Sequence, residues 1–280
     1  MITDNRVNLP DSDLSQAVFS ALAHAASQII WPYFGQLDDD MVRTKSSDTD
    51  FVTIADTLAE HYLSSSLLPL IEGASIIGEE SASRTDALPD PLSDGYVWVV
   101  DPLDGTRNFV NKINRFCSMV TLLHKGVAQA AWIYRIAEND CFFAGKDTGV
   151  YYLNAKIVQK STPRTEASFF DARGTANAMG IEEPLRTEVR ARLKTHSGRY
   201  HIGSAGLDAV ALALGNSAFV MHSKLTPWDS LPVNLFAQEL GFVTKMAADE
   251  SAFTPLKIGI LMIARDEAMW QAFRQFVYHG

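Results

Sequence analysis

Two carboxylates three positions apart, Asp101 and Asp104, stand directly after the apolar run Tyr96-Val97-Trp98-Val99-Val100. Pro102 and Gly105 bend the chain there, so both acids can be aimed at one point just past a strand end, where loops often carry sites. Taken alone, Asp-x-x-Asp-Gly is explained equally well as turn punctuation, because Asp and Gly favour turns for conformational reasons.

Three further acids occupy comparable places. Glu79 follows the short apolar run Ala74-Ser75-Ile76-Ile77. If that run lies beside residues 96–100 in one sheet, Glu79 comes next to Asp101; its plain alternative is a solvated Glu79-Glu80 pair. Asp56 and Asp229 each open a helical stretch, where capping and the helix dipole account for a carboxylate by themselves. Brought together, these acids need a cation, since two unit charges about 4 Å apart repel by roughly 4 kcal/mol at an effective dielectric near 20. Oxygen-only ligands without His or Cys select hard ions, and Mg²⁺ with retained waters suits phosphate chemistry better than a closed Ca²⁺ cage. Two such ions could bind one phosphate, activate a water and stabilise the leaving oxygen.

The elements that must position these residues can be read from periodicity. Residues 11–35 place Leu14, Val18, Ala21, Leu22, Ala25, Ile29 and Ile30 at helical spacing, which predicts a first amphipathic helix. A second helix carries Leu58, Tyr62, Leu63 and Leu67 and ends near Pro69. Strands are predicted over 74–77, 96–100, 116–123, 129–134 and 141–144, with a hairpin return near Val150. The first half thus reads as two helices followed by a mostly antiparallel sheet. Beyond Asn154 the pattern alternates: strand 168–171, helices 183–193 and 205–214, strand 218–221, helix 230–240, strand 258–263 and helix 266–278. Such alternation indicates an α/β unit. The expected division is residues 1–154, an N-terminal α+β domain carrying most metal ligands, and 155–280, a C-terminal α/β domain completing the site.

Composition narrows the function classes. The 280-residue chain has a net charge of −9 and scattered Lys and Arg, so nucleic-acid backbones and anionic membranes are repelled and no nucleic-acid partner is expected. An acidic protein that handles anionic substrates needs cations at its site, and metal ions supply them. Cys117 and Cys141 lie in apolar strand-like runs, where buried free thiols in a reducing compartment are the expectation. The first residues lack a basic start and apolar stretch, and no apolar run reaches spanning length. A soluble, cytoplasmic protein is expected, with no membrane association.

The segment Trp98-Val99-Val100-Asp101-Pro102-Leu103-Asp104-Gly105-Thr106-Arg107-Asn108-Phe109 resembles the first signature of the inositol monophosphatase family. Lys45-Ser46 through Asp50-Phe51-Val52-Thr53 to Asp56 is similar to that family's early loop, Ile77-Gly78-Glu79-Glu80-Ser81 to its acidic strand end, and Pro227-Trp228-Asp229 to the start of its second signature. The resemblance implies a two-domain α+β and α/β layered fold of the sugar-phosphatase type, with alternating helix and sheet layers (αβαβα). It implies that Glu79, Asp101 and the Leu103 carbonyl bind one Mg²⁺, that Asp101, Asp104 and Asp229 bind a second, and that a third, weaker site involves Glu79. Asp56, Thr106 and Glu79 would be the catalytic set, with Thr106 paired to Asp56 to orient a metal-bound water for in-line attack. Gly105 and Thr106 amides would hold the phosphate, and Ser204, Ala205 and His222 would face the substrate. Lithium inhibition and a homodimer are also implied.

Two departures bear on the substrate. Asp229 runs into Ser230-Leu231-Pro232 instead of small residues, so the substrate wall beside Asp229 is expected to differ, with Pro232 tolerated in a first helical turn. Seven residues before Asp229, His222 stands where inositol-selective relatives carry a Glu; His222 and Lys224 could meet an additional anionic group, although surface polarity at a strand end explains both. Arg107 could steer anionic substrates or be a solvated turn residue.

The activity expected is hydrolysis of inositol-1-phosphate or a related polyol or sugar phosphate. Adenosine bisphosphate, fructose bisphosphate and histidinol phosphate are the alternatives in the same fold. A dehalogenase-type phospho-aspartate enzyme is disfavoured by the spacing of Asp101 and Asp104 and by the two helices ahead of them. A regulatory role through a protein partner is the alternative of a different class.

Overall fold

The structure, a computed structural model, describes residues 7–44, 51–82, 89–154, 157–160 and 168–279. Lys45 to Asp50 of the early loop lie outside the described residues.

Helix α1 (Asp13–His24) is capped by Ser12, whose side chain accepts the Ser15 N–H, and it buries Leu14, Val18, Ala21 and Leu22. The single helix predicted over 11–35 changes character: a π-helical turn spans Ala25–Ile30 and a 3-10 turn Trp31–Tyr33, where Pro32 has no N–H to continue the ladder. A ribbon of β1 (Val42–Thr44) and β2 (Phe51–Thr53), absent from the sequence expectations, leads into α2 (Ile54–Leu67).

The first sheet has seven strands in chain order. They are β3 (Ser75–Gly78), β4 (Tyr96–Asp104), β5 (Cys117–His124), β6 (Val127–Arg135), β7 (Asp140–Gly145), β8 (Gly149–Asn154) and β9 (Ile157–Lys160), with α3 (Glu79–Ala82) after β3 and α4 (Thr106–Val110) after β4. Only β3 and β4 pair in parallel.

The second sheet holds β10 (Gly174–Ala176), β11 (Arg199–Tyr200), β12 (Phe219–His222), β13 (Val243–Met246) and β14 (Leu261–Ala264). Its order is β11-β10-β12-β14-β13, parallel across the first three and antiparallel beyond. Helices α5 (Leu185–Thr195), α6 (Ala205–Ala213), α7 (Pro227–Glu239) and α8 (Glu267–Tyr278) connect or follow these strands. The strand predicted over 168–171 is a turn: Ala172 donates to the Phe169 carbonyl at 3.2 Å. Phe169 is buried against Phe273 while Phe170 is 63% exposed, and among the described residues no strand pairs with this segment. The last strand begins at Leu261, not 258; Ile258 is 88% exposed.

Side-chain alternation along the strands builds five layers. On β4, Trp98 and Val100 face α1 and α2, while Val97 and Val99 face the opposite way, toward α6 and α7. On the second sheet, Val220, Leu261 and Ile263 join that same middle core, and Phe219, Met221, Met262 and Ala264 face α5 and α8. The order helix, sheet, helix, sheet, helix is thus the expected αβαβα arrangement. Cys117 and Cys141 are buried free thiols. Among the described residues no helix is long and apolar enough to cross a membrane.

Candidate metal and phosphate site

Strand pairing sets the first contact. Ile77 and Val99 are register partners on the face toward α6 and α7, and Gly78 pairs with Val100. One step further, Glu79 leaves the end of β3 beside Asp101 of β4. Asp101 and Asp104 are then re-aimed by a bulge: Asp101 is opposite Met119 and Asp104 opposite Cys117, so three steps on β4 match two on β5. Bulges of this kind commonly sit beside active sites and tolerate a proline that cannot donate to the ladder. Within it the Leu103 N–H donates to Asp101 Oδ1 at 3.1 Å, and Ser118 Oγ donates to the Pro102 carbonyl at 2.6 Å.

Gly105 ends the bulge with φ at +90°, and a Cβ there would lie 2.8 Å from the Arg115 carbonyl oxygen. Only glycine fits both the left-handed backbone and the close approach. The chain then enters α4 at Thr106, whose hydroxyl lies 3.0 Å from Asp56 Oδ1 and 2.9 Å from the Leu103 carbonyl. Asp56 is the third residue of α2, in a capping box with Thr53: its Oδ2 accepts the Thr53 N–H at 2.8 Å and hydroxyl at 2.5 Å. Capping, the plain explanation of Asp56, is therefore real, and its other oxygen still reaches Thr106.

The second half of the chain adds two helix starts. Ser204 caps α6 and donates to Asp104 Oδ2 at 2.5 Å, and the Gly206 N–H donates to the same oxygen at 2.7 Å. Asp229 is the third residue of α7, not its cap, and accepts from the Thr226 hydroxyl at 2.7 Å. One oxygen each of Asp101, Asp104 and Asp229 lie within 4.8 Å of one another. Three negative charges at that spacing repel by roughly 3 kcal/mol per pair at an effective dielectric near 20.

The electrostatics respond accordingly. Burial, and then the charges of Glu79, Asp104 and Asp229, hold the Asp101 carboxyl well above the usual range. Burial raises Asp104 against the hydrogen bonds from Ser204 and the α6 amides. Burial, with Asp104 and Glu79 nearby, pushes Asp229 up to about 7, and burial pushes Asp56 up to about 6 against its Thr53 hydrogen bonds. Acids so arranged are poised for a cation of hard, oxygen-seeking character, so the donor set fits Mg²⁺.

Glu79, Asp101, Leu103, Asp104, Gly105, Thr106, Ser204, Ala205, His222 and Asp229 all line one cleft of about 270 Å³. Asp56 stands behind it, reached through Thr106. Three expectations need correction. His222 is no surface residue: it is 5% exposed, and its Nε2 lies 3.0 Å from Asp208 Oδ2. Burial acts to lower its pKa, but the Asp208 hydrogen bond and charge, with Asp229 and Asp104, raise it. Ser230, Leu231 and Pro232 do not line the cleft. They are buried, with Leu231 in the middle core, because successive helical residues turn by about 100° and carry them away from Asp229. Pro232 sits inside α7, beyond its first turn, since the helix begins at Pro227.

Sequence reasoning passed over Asp208 and Glu60, and it gave Thr53 no role beyond its place in the early loop. Asp208 lies one turn into α6 and partners His222. Glu60 is 2% exposed on the apolar face of α2; an acid at i+4 from Asp56 among Ala55, Ala59 and Leu63 is the signal that would have found it.

A layered αβαβα chain with a buried acidic, all-oxygen site at its strand ends defines a class, and comparison with known proteins gives it a family. The pattern of the Inositol monophosphatase family matches residues 12–277. The putative Nus factor SuhB of Neisseria meningitidis serogroup B is 28% identical over 263 residues, covering 92% of this chain and 95% of that one. The inositol-1-monophosphatase SuhB of Mycobacterium tuberculosis H37Rv is 32% identical over 210 residues, 72% of this chain and 71% of that one. Among solved structures, an IMPase/NADP phosphatase complexed with NADP and Ca²⁺ superposes with a TM-score of 0.80 at 21% identity, covering 96% of this chain and 98% of that one. The Thermotoga maritima IMPase gives 0.79 at 18% identity, covering 95% and 97%. This chain belongs to the inositol monophosphatase family.

Proposed function

We propose that this protein hydrolyses a small-molecule phosphomonoester, inositol-1-phosphate or a related polyol or sugar phosphate, with Mg²⁺ as its cofactor. The observation that carries the reading is the convergence of Asp101, Asp104 and Asp229 beside the Thr106–Asp56 pair. In this reading Glu79, Asp101 and the Leu103 carbonyl hold one ion, Asp101, Asp104 and Asp229 a second, and Glu79 contributes to a weaker third. Bound there, Mg²⁺ supplies charge neutralisation for the phosphate and acidifies the attacking water.

The chain's own groups do the positioning. At neutral pH Asp56, with its carboxyl near 6, is mostly ionised and accepts the Thr106 hydroxyl proton in a hydrogen bond. Thr106 oxygen then presents lone pairs to a water hydrogen, which turns that water's own lone pair toward phosphorus for in-line attack. Glu79 orders the water from the other strand end. The Gly105 and Thr106 amides donate to phosphate oxygens as charge develops on them, and Ser204 fixes Asp104 by its short hydrogen bond. Ala205 and His222 form the wall that the leaving group meets. Positioning and electrostatic stabilisation dominate phosphoryl transfer, so this division of labour suffices.

The paired His222 and Asp208, with Lys224 and Arg107 on the same cleft, favour a second reading in which the substrate bears another anionic group, as in a nucleotide or sugar bisphosphate. A homodimer and inhibition by lithium belong to the same proposal. A further role through a protein partner is favoured by the Nus-factor name of a relative aligned over 92% of this chain; the net charge of −9 argues for a protein contact over a nucleic-acid one. Phosphate release across a panel of inositol, sugar and nucleotide phosphates, with Mg²⁺ present, tests the activity. Release from monophosphates alone supports the first reading, preference for bisphosphates supports the second, and no release from any refutes both.

A further inference from the structure

We infer that Glu60 is a positioning residue for the metal site, holding the turn that aims Glu79. One helical turn beyond Asp56 on α2, Glu60 is 2% exposed. Its Oε2 accepts the Glu80 N–H at 2.6 Å and its Oε1 accepts the Ser81 N–H at 2.8 Å, together with the Ser81 hydroxyl. Two backbone amides and a hydroxyl therefore fix the chain immediately after Glu79.

The other side of Glu79 is fixed as well. Gly78 is held in the sheet opposite Val100, and a Cβ at position 78 would lie 2.3 Å from the Glu60 carboxyl carbon and 2.4 Å from Oε2. Glycine is what lets the Glu60 carboxylate come this close to the strand end. Glu79 is thus anchored on both sides, by the β3–β4 ladder before it and by Glu60 after it, and its backbone has little freedom left. A single helix face serves both halves of the site: Asp56 holds Thr106, and four residues later Glu60 holds the segment that carries Glu79.

This assignment rests on Glu79 being a metal ligand, so the test separates the two claims. Mg²⁺ binding to the full chain is measured by titration calorimetry, with thermal unfolding in chelator recorded alongside. Outer-shell partners of metal ligands typically change affinity by 10–100-fold when removed, so Glu60→Gln should raise the Mg²⁺ Kd by about 10-fold or more. Gly78→Ala, which leaves the acid in place but displaces it, should weaken binding likewise. Phe273→Leu, a core change beneath the second sheet, should lower the melting temperature without moving the Kd. If Glu79→Gln abolishes or weakens binding while Glu60→Gln binds Mg²⁺ like the wild type, the positioning role is wrong although Glu79 is a ligand. If Glu79→Gln leaves binding unchanged, the underlying ligand assignment fails first. Should Glu60→Gln not fold, Ser81→Ala decides: a several-fold weaker Kd supports the role, and an unchanged one overturns it.

Discussion

Asp101→Asn should make the metal-free protein more stable at pH 8 while removing its response to Mg²⁺. In the wild type, carboxylate oxygens of Asp101, Asp104 and Asp229 lie within 4.8 Å of one another, and each pair repels by roughly 3 kcal/mol at an effective dielectric near 20. Partial protonation relieves some of this, so a net gain of about 2 kcal/mol is the expectation, and about 2 °C per kcal/mol is usual for chains of this size. The Leu103 N–H can still donate to the asparagine carbonyl, so the bulge keeps its internal bond. The sign of the pH dependence follows from burial and mutual repulsion, which hold Asp101 well above its ordinary value and Asp229 near 7. A carboxyl raised in the folded state favours folding while protonated; that contribution is complete below the unfolded value near 4 and is lost as pH climbs through the folded one. Wild-type stability in chelator should therefore fall between pH 5 and pH 8, and Asp101→Asn should fall less. Thermal unfolding in chelator and in excess Mg²⁺, at both pH values, reads all of this. A variant that is less stable than wild type in chelator at pH 8, or that gains as much from Mg²⁺, would refute the reasoning.

Further outcomes follow from the same geometry. Thr106→Ala should lower phosphate release about 100-fold, within the range for proton-handling groups, with calorimetric Mg²⁺ affinity held, whereas Thr106→Ser should retain most activity because the hydroxyl remains. Activity at saturating Mg²⁺ should rise with pH as Asp56 ionises, with a midpoint below the metal-free value of about 6 because a nearby cation favours the carboxylate, and Asp56→Asn should flatten that limb of the pH–rate profile. Gly105→Ala should destabilise by about 1–3 kcal/mol, since φ is +90° and the new Cβ meets the Arg115 carbonyl oxygen at 2.8 Å; chemical denaturation measures it.

The readable parts of the sequence were those where local pattern and tertiary role agree. The unbroken apolar run of residues 96–100 marks a strand buried on both faces, and β4 is that strand. The notion that Glu79 meets Asp101 needed only parallel pairing of β3 with β4, which the register supplies. Residues 168–171 misled because two adjacent phenylalanines imitate a strand while one stacks in the core and the other faces solvent. The short β1, β2, β10 and β11, of two or three residues each, are too brief for a period to register. Within the site, Asp101, Asp104 and Asp229 each had a plain explanation as turn or cap residues, and the resemblance of their segments to the family signatures is what singled them out. His222 looked like surface polarity because its partner Asp208 lies on another element, 14 residues earlier. Glu60 was hidden for a related reason: its donors, the Glu80 and Ser81 amides and the Ser81 hydroxyl, lie on another element, and only its place on an apolar helix face marked it. Leu231 and Pro232 seemed to crowd the substrate because sequence adjacency to Asp229 was taken for spatial adjacency, which helical rotation breaks.

The central claim is that clustered carboxylates at the end of β4 make this chain a metal-dependent phosphatase. Phosphate release from the inositol, sugar and nucleotide phosphate panel, compared in Mg²⁺ and in chelator for wild type and Asp104→Asn, tests it most directly. Release by wild type in Mg²⁺ alone, with none from folded Asp104→Asn, is predicted; undiminished release in chelator, or from the variant, would contradict it.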